Sequence, residues 1–233
     1  MDLHAAERLV AEHGADRVTD ALTPHLSEAR RARIEAVVGG RMASVHVAVE
    51  APSDPHNAAA IVRTAEALGA LGVHVIAAEG RALHARATTQ GCSHWVQTYH
   101  HEDLEGFLHR IRGLGLRLHG AAMDGSVPVT RLGVDEPLCL LLGNEQRGLS
   151  KAARGACSTL FHVPMVGMSE SLNLSVTAAI SLFEVLRRKR ESGSLGDLDQ
   201  AGRARLRACY YAVGVDDRLV HALFGSSAVE ASP

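Results

Sequence analysis

Aromatic residues are scarce, at 3% of a 233-residue chain with Trp95 the one tryptophan. That argues against a sheet paved with stacking rings for bases. The four cysteines, Cys92, Cys139, Cys157 and Cys209, stand far apart and form no CxxC pair. Neither a zinc ribbon nor a redox dithiol is suggested, and reduced thiols in a cytoplasmic protein are expected. No basic start leads into a long apolar stretch, and the apolar runs are too short to cross a bilayer. A soluble, unexported protein is the expectation. Neither sign of charge prevails, with 24 Lys+Arg against 26 Asp+Glu. A uniformly basic coat is ruled out, so any nucleic-acid contact must be a local patch. GxGxxG after a first strand, GxxxxGK[ST] and GxSxG are all missing, which removes the usual nucleotide-binding and hydrolase readings. None of the 14 histidines falls in HExxH, and His100-His101-Glu102-Asp103 reads as the polar entry to a helix. No metal is expected.

What is present is a hydrophobic content of 46% with 21% charged residues, enough to bury a full core. From Ser44 to about Arg190, short β-branched runs alternate with stretches of helical period, which predicts an α/β fold with a parallel sheet covered by helices. Strands are expected near Val45–Val49, Val73–Ala77, Trp95–Thr98, Leu116–Gly120, Leu138–Leu142 and Thr159–Val163, and helix starts near Asn57, Glu102, Ser150 and Asn173. Residues 1–42 form a helical extension ending in SEARRARIEAVV, where Ile34, Val37 and Val38 share one side and Arg30, Arg31 and Arg33 cluster elsewhere. Residues 43–191 are the main domain. Residues 192–233 begin with the linker-like ESGSLGDLD, continue as two short helices near Gln200–Ala212 and Asp216–Leu223, and end in a tail, GSSAVEASP, expected to fray.

Three segments carry chemistry. In HNAAAIVRTAEALGALG, His56–Gly72, Asn57 sits where a helix cap belongs. Ile61, Ala65 and Leu68 make an apolar stripe, and Arg63 lies roughly 200° around the axis from Ile61. Arg63 thus faces away from the core, either as a solvated partner of Glu66 or as a functional group. In LCLLLGNEQRGLS, Leu138–Ser150, a wholly apolar strand runs into a glycine-bounded polar turn. Such a strand is central, and ligands of open parallel sheets lie beyond strand carboxyl ends, where Gly143, Asn144, Glu145 and Gly148 fall. Glu145 has no packing purpose there. In HVPMVGMSESLNLSVTAAISLFEVLRRKR, His162–Arg190, a polar loop leads to an amphipathic helix capped by Ser171 or Asn173, with Leu174, Ala178, Ser181, Leu182 and Val185 at helical spacing. Arg187, Arg188, Lys189 and Arg190 close it; these cations either complete the helix dipole or read phosphates.

Together the three segments resemble the SpoU (TrmH-like) family of the SPOUT superfamily: an N-x5-R element, a G-x-E-x-x-G-[LV] turn and an [IV]-P-M-x-G-x-x-x-SLN-[LV]-SV run, in order over roughly Ala29–Arg190. The resemblance implies a SPOUT-type sheet with helices on both faces and a C-terminal trefoil knot, an exception to the rule against knots. It implies S-adenosylmethionine-dependent RNA 2'-O-ribose methylation, with the cofactor held by Leu142, Gly143, Val163, Met165, Leu172 and, on a third loop, Ala121. Arg63 matches the family's essential arginine, which lowers the ribose hydroxyl's pKa or acts as its base. Asn57, Glu145, Ser171 and Asn173 match the other signature polar positions, which order the loops and the ribose; Asn57 and Ser171 are equally readable as plain caps. The family is dimeric with a site completed across the interface, so a homodimer is expected.

Within the family, GCSHWVQT, Gly91–Thr98, and the helical ends resemble tRNA enzymes that methylate the D-loop guanosine at tRNA position 18. GNEQRGLS and Glu170 look more like the rRNA relatives, and Lys189 stands where the tRNA group more often has Arg. A tRNA substrate is the expectation, with Arg30, Arg31, Arg33, Arg187, Arg188 and Lys189 on the RNA backbone. The alternatives are an rRNA substrate or a catalytically silent RNA-binding homologue.

Overall fold

The computed structural model describes residues 1–77, 94–193 and 195–225. In chain order, α1 (Leu3–His13), α2 (Ala15–Leu22) and α3 (Glu28–Gly39) precede β1 (Met42–Glu50), α4 (Pro55–Leu68) and β2 (Ala70–Ile76). Then come β3 (Gln97–His101), α5 (Leu104–Gly113), β4 (Arg117–Ala121), the short β5 (Val127–Pro128), β6 (Leu138–Leu142) and α6 (Lys151–Ala156). β7 (Thr159–His162), α7 (Leu174–Ser192), α8 (Gln200–Val213) and α9 (Asp217–Phe224) follow.

Two compact units result: residues 42–194, and a helical unit built from residues 1–41 with the segment from Leu195 onward. The larger unit holds a seven-stranded sheet in the order β3-β2-β1-β6-β4-β7-β5, and every pairing is parallel. Alternation along the central strands separates two cores, as the two-residue strand period requires. Val45, Val47 and Val49 of β1 and Leu138, Leu140 and Leu142 of β6 pack with Ile61 and Ala65 of α4 and Ala178, Leu182 and Val185 of α7. Ala48, Cys139 and Leu141 face the other way, onto Phe107 and Ile111 of α5 and Ala153 of α6. Helices therefore cover both faces, and β6 is buried at all five positions, as its apolar sequence predicts.

The chain winds from β1 outward through β2 to β3, then returns to build the other half from β4 and β6. The reversal falls between β1 and β6, where open α/β sheets place their ligands.

Three expectations need correcting. The strand expected at Trp95–Thr98 is β3 at Gln97–His101, so His100 and His101 are strand residues. An edge strand has one neighbour and need not be apolar, which hides it in the sequence. Helix α5 starts at Leu104 with Asp103 as its cap, the Asp103 carboxylate accepting from Gly106 N at 2.8 Å. Helix α4 starts at Pro55, and its cap is Asp54, which accepts from His56 N at 2.8 Å. Proline suits the first helical position because its missing N–H has no partner there, and this moves Asn57 inside the first turn. Of the two caps the sequence offers for helix α7, Asn173 is the one used. Gly91–Ser93 of the GCSHWVQT stretch, Cys92 among them, and residues 226–233 of the tail lie outside the described residues.

In the helical unit, α8 packs against α1, α2 and α3, so the two chain ends share one core. Arg41 is buried there, with its Nε donating to the Tyr210 hydroxyl at 3.1 Å, and Arg207 pairs with Glu35. No described helix is long and apolar enough to cross a membrane.

Candidate active site

The loops that follow β1, β6 and β7 all leave strand carboxyl ends, and side chains from each tie them together. Glu145, in the turn after β6, reaches the turn after β1: its carboxylate accepts from Ser53 N at 2.7 Å, Asp54 N at 3.4 Å and Asn57 Nδ2 at 2.9 Å. Glu50, at the end of β1, reaches back to the other loop and accepts from Ser150 N at 2.8 Å. Each strand end thus sends a carboxylate to amides at or just before the start of the other's helix, where the dipole favours negative charge. Asn173 joins the third loop, donating from Nδ2 to Asn57 Oδ1 at 3.2 Å. Its own Oδ1 caps α7, accepting from Ser175 N at 2.9 Å and Val176 N at 3.4 Å.

Burial pushes the Glu145 pKa up, but the Ser53 amide, the Asn57 side chain and the Glu145 and Asp54 backbone amides together outweigh it and hold the group at about 2. Glu145 is therefore an anion across the working pH range. A carboxylate so weakly basic is a poor proton acceptor, since a general base works best with a pKa near the operating pH. Its chemistry here is to order donors.

The turn after β6 folds tightly enough that a Cβ on Gly143 would collide with the backbone of Gly148 and Leu149, and Gly148 has a positive φ of 66°. Ala51, after β1, is the one non-glycine at positive φ among the described residues, at 46°. Such a conformation costs on the order of 1 kcal/mol and persists only where neighbours enforce it.

Arg63 stands on the exposed face of α4. It forms no hydrogen bond or ion pair with Glu66 or any other described residue. Six positions on from the buried Asn57, it points roughly 120° away around the helix. Ala121, Leu142 and Val163, at or just beyond the carboxyl ends of β4, β6 and β7, join one core cluster. Met165 is partly exposed, Val166 and Met168 fully so, leaving an apolar loop in solvent. Leu172 is half-buried, and Ser171 is exposed outside the Glu145–Asn57–Asn173 chain.

The cations closing α7 have partners within their own unit. Arg187 pairs with Glu184 at 3.0 Å and Glu191 at 2.6 Å. Arg188 donates to Leu132 O at 2.6 Å, and Arg190 to Leu68 O at 2.7 Å. Lys189 is 9% exposed and donates to Glu136 O at 3.1 Å, so it anchors the stretch before β6 instead of facing solvent. Arg30 and Arg33 are exposed on α3, with Arg31 half-buried. A cavity of about 350 Å³ lined by Leu68, Phe183, Leu186, Arg187, Arg190 and Glu191 lies at the far end of α7 from Asn173, a helix roughly 28 Å long. It is separate from the loops.

The sequence alone does not single out Glu50, whose only signal is its place at a strand end.

The segments that carry these loops lie within the span that known proteins match. The SpoU rRNA Methylase family matches residues 44–183. The chain belongs to that family. Among similar proteins, the tRNA (guanosine(18)-2'-O)-methyltransferase of Escherichia coli (strain K12) is 30% identical over 169 residues, covering 72% of this SpoU chain and 74% of its own. The crystal structure of the A. aeolicus TrmH/SpoU tRNA modifying enzyme has a TM-score of 0.71 at 27% identity and covers 81% of this chain and 98% of its own. An AdoMet-bound rRNA methyltransferase from Sinorhizobium meliloti has a TM-score of 0.56 at 30% identity, covering 62% of this chain and 56% of its own. The matched span of the SpoU chain includes Asn57, Arg63, Glu145, Ser171 and Asn173.

Proposed function

We propose that this SpoU-family chain is an S-adenosylmethionine-dependent RNA 2'-O-ribose methyltransferase acting on the D-loop guanosine at tRNA position 18. The observation that carries the reading is the hydrogen-bonded chain Glu145–Asn57–Asn173, which unites polar residues from all three signature segments at the sheet's switch point. Similarity to the E. coli tRNA enzyme supports the choice of tRNA.

The residues fit the cofactor. Leu142 and Val163 supply apolar wall, the turn at Gly143 brings backbone close, and the loop with Met165 presents apolar surface. Ala121, Leu142, Gly143, Val163, Met165 and Leu172 would hold it, with the segment after β7 threaded as the family's knot. When bound, S-adenosylmethionine supplies an electrophilic methyl group on a sulfonium. The Arg63 guanidinium would lower the pKa of the ribose 2'-hydroxyl or, with an RNA phosphate, take its proton, leaving an oxygen nucleophilic enough to accept the methyl group that the sulfonium gives up as it becomes a neutral thioether. Asn57, Glu145 and Asn173 hold the loops in register for that attack, and Ser171 contacts the ribose. Arg30, Arg31, Arg33, Arg187 and Arg188 contact RNA phosphates, while Lys189, expected to join them, is buried and donates to Glu136 O instead.

The molecule works as a homodimer. Val176, Ile180 and Phe183 leave an exposed apolar stripe along α7, which a second copy covers. Arg63, turned away from Asn57 on its helix, completes the partner's site.

The test is incubation of the purified protein with unmodified tRNA, rRNA and methyl-labelled cofactor, followed by mass-spectrometric mapping of ribose methylation. 2'-O-methylguanosine at position 18 of tRNA is expected. Methylation of rRNA alone would move the substrate to the ribosome, and cofactor binding without transfer to either RNA would make the chain a silent RNA-binding homologue.

A further inference from the structure

Asn144 precedes Glu145 in the turn after β6, and its side chain uses every hydrogen-bonding group it has. Nδ2 donates to Ala51 O at 2.7 Å and to Ser53 Oγ at 2.6 Å. Oδ1 accepts from Gln146 N at 2.9 Å and Arg147 N at 3.1 Å. The residue is 8% exposed, so these bonds form away from bulk water, where an unmade bond is most costly.

The two ends of this amide do different things. The oxygen closes a local Asx turn, the ordinary role of asparagine in a loop, and the Asn144 backbone reinforces it by pairing with Gly148 in both directions, at 3.0 and 2.8 Å. The nitrogen instead crosses to the turn after β1, more than 90 positions away in sequence. There it meets Ala51, held at positive φ, whose own N–H donates to Ile76 O at 2.7 Å.

Asn144 and Glu145 therefore grip one short segment by opposite polarity. Asn144 takes its acceptors, the Ala51 carbonyl and the Ser53 hydroxyl, while Glu145 takes its donors, the Ser53 and Asp54 amides. Ser53 is held by both, through its hydroxyl and its amide.

We propose that Asn144 is a positioning residue that clamps the turn after β1 against the turn after β6, so that Ser53, Asp54 and Asn57 meet the Glu145 carboxylate. Glu145 keeps its ionised, oriented form because Asn144 keeps its donors in place. The consequence for turnover rests on the methyltransferase reading; the clamp itself does not.

The test separates the two ends of the Asn144 amide. Asn144→Ser retains a hydroxyl that begins a comparable turn, though more weakly, but is too short to reach Ala51. Asn144→Ala removes both ends, and Ser53→Ala removes one acceptor of the clamp while leaving the Ser53 amide. The readout is the ¹³C titration of the Glu145 carboxyl in protein free of RNA and cofactor, assigned with Glu145→Gln. In the unaltered chain, where Glu145 accepts from Ser53 N, Asp54 N and Asn57 Nδ2, its midpoint is expected well below the usual carboxylate range. In Asn144→Ser it is expected to rise by about one unit or more, a tenfold loss of preference for the anion, with a smaller rise in Ser53→Ala. An unchanged midpoint in a folded Asn144→Ser protein overturns the clamp, and should Asn144→Ala fail to fold, the other two variants decide. A raised midpoint with undiminished methyl transfer would uphold the clamp and count instead against Glu145's part in the reaction.

Discussion

Asn173 donates its side-chain amide to Asn57 Oδ1 across 3.2 Å, although 116 positions separate them in sequence. That bond fixes which way the Asn57 amide lies: with its oxygen engaged by Asn173, its nitrogen is the end presented to Glu145, at 2.9 Å. A single orientation thus serves all three loops, and the residue is 9% exposed, where a reversed orientation would set donor against donor.

Asn57→Asp is expected to break this arrangement by electrostatics, not size. The introduced carboxylate would stand against that of Glu145, whose low pKa depends in part on the Asn57 amide. Like charges at such range disfavour double ionisation. A loss of about 2 kcal/mol at pH 7 is expected, shrinking as the solution is acidified and the pair comes to share a proton. Urea unfolding of Asn57→Asp and Asn57→Ala at neutral and acidic pH checks this; equal losses at both would argue that only the lost bond matters.

Arg63 has no described partner, so its removal should be invisible to the fold. Arg63→Ala is expected to unfold within about 0.5 kcal/mol of the parent and to bind S-adenosylmethionine with unchanged affinity, while methyl transfer falls on the order of 10³-fold. Calorimetric cofactor titration beside single-turnover transfer provides the check. Near-normal turnover would remove Arg63 from the chemistry.

Gly143→Ala should be one of the most damaging small substitutions in the chain. The added Cβ meets backbone atoms of Gly148 and Leu149, which cannot swing aside as a side chain does. Opening the turn would cost about 3 kcal/mol and pull Glu145 from Ser53. Thermal unfolding reports the first effect, and loss of the strongly acidic Glu145 titration the second.

A row of histidines predicts how the fold responds to acid. His74 Nε2 lies 2.9 Å from His46 Nδ1, and His74 Nδ1 lies 3.0 Å from His101 Nε2. Burial, then His46, His101 and Arg110, lowers the His74 pKa from an ordinary 6.5 to about 2. The folded chain keeps this ring neutral while the unfolded chain protonates it below 6.5, so stability falls as pH drops from 6.5 toward 2. One such group removes up to about 1.4 kcal/mol per pH unit across that window. Denaturant titrations from neutral pH down through that window should show the slope, and His74→Phe should flatten it while lowering stability at neutral pH. An unchanged slope in that variant would shift the acid response to other groups.

Much of this is legible in local sequence. The run Leu138–Leu142 reads as a central strand and is one, buried throughout. Ser150 and Asn173 cap α6 and α7 where the sequence places helix starts. Asn57 passes for a cap because capping preference is shared by Asp and Asn, and two candidates three positions apart compete; Pro55 at the first helical position decides for Asp54. The polar β3 escapes a periodic reading because alternation is weak at a sheet edge. For the cations closing α7, helix-end charge and phosphate contact look identical in sequence, and only neighbouring carbonyls such as Glu136 O and Leu132 O reveal their engagement.

Short-range pattern was enough to specify the α/β class, the central strand, two of the helix caps and the polar residues that mark the family, because periodicity and capping are written within a few neighbouring positions. It could not specify that Glu145 meets Ser53 and Asn57, that Asn144 reaches Ala51, or that both chain ends share one helical unit; packing of the whole chain set these. Such contacts join groups about 90 or more positions apart. They exist because parallel pairing sets β1 beside β6 and brings their carboxyl ends within hydrogen-bonding reach, an adjacency that no local pattern encodes.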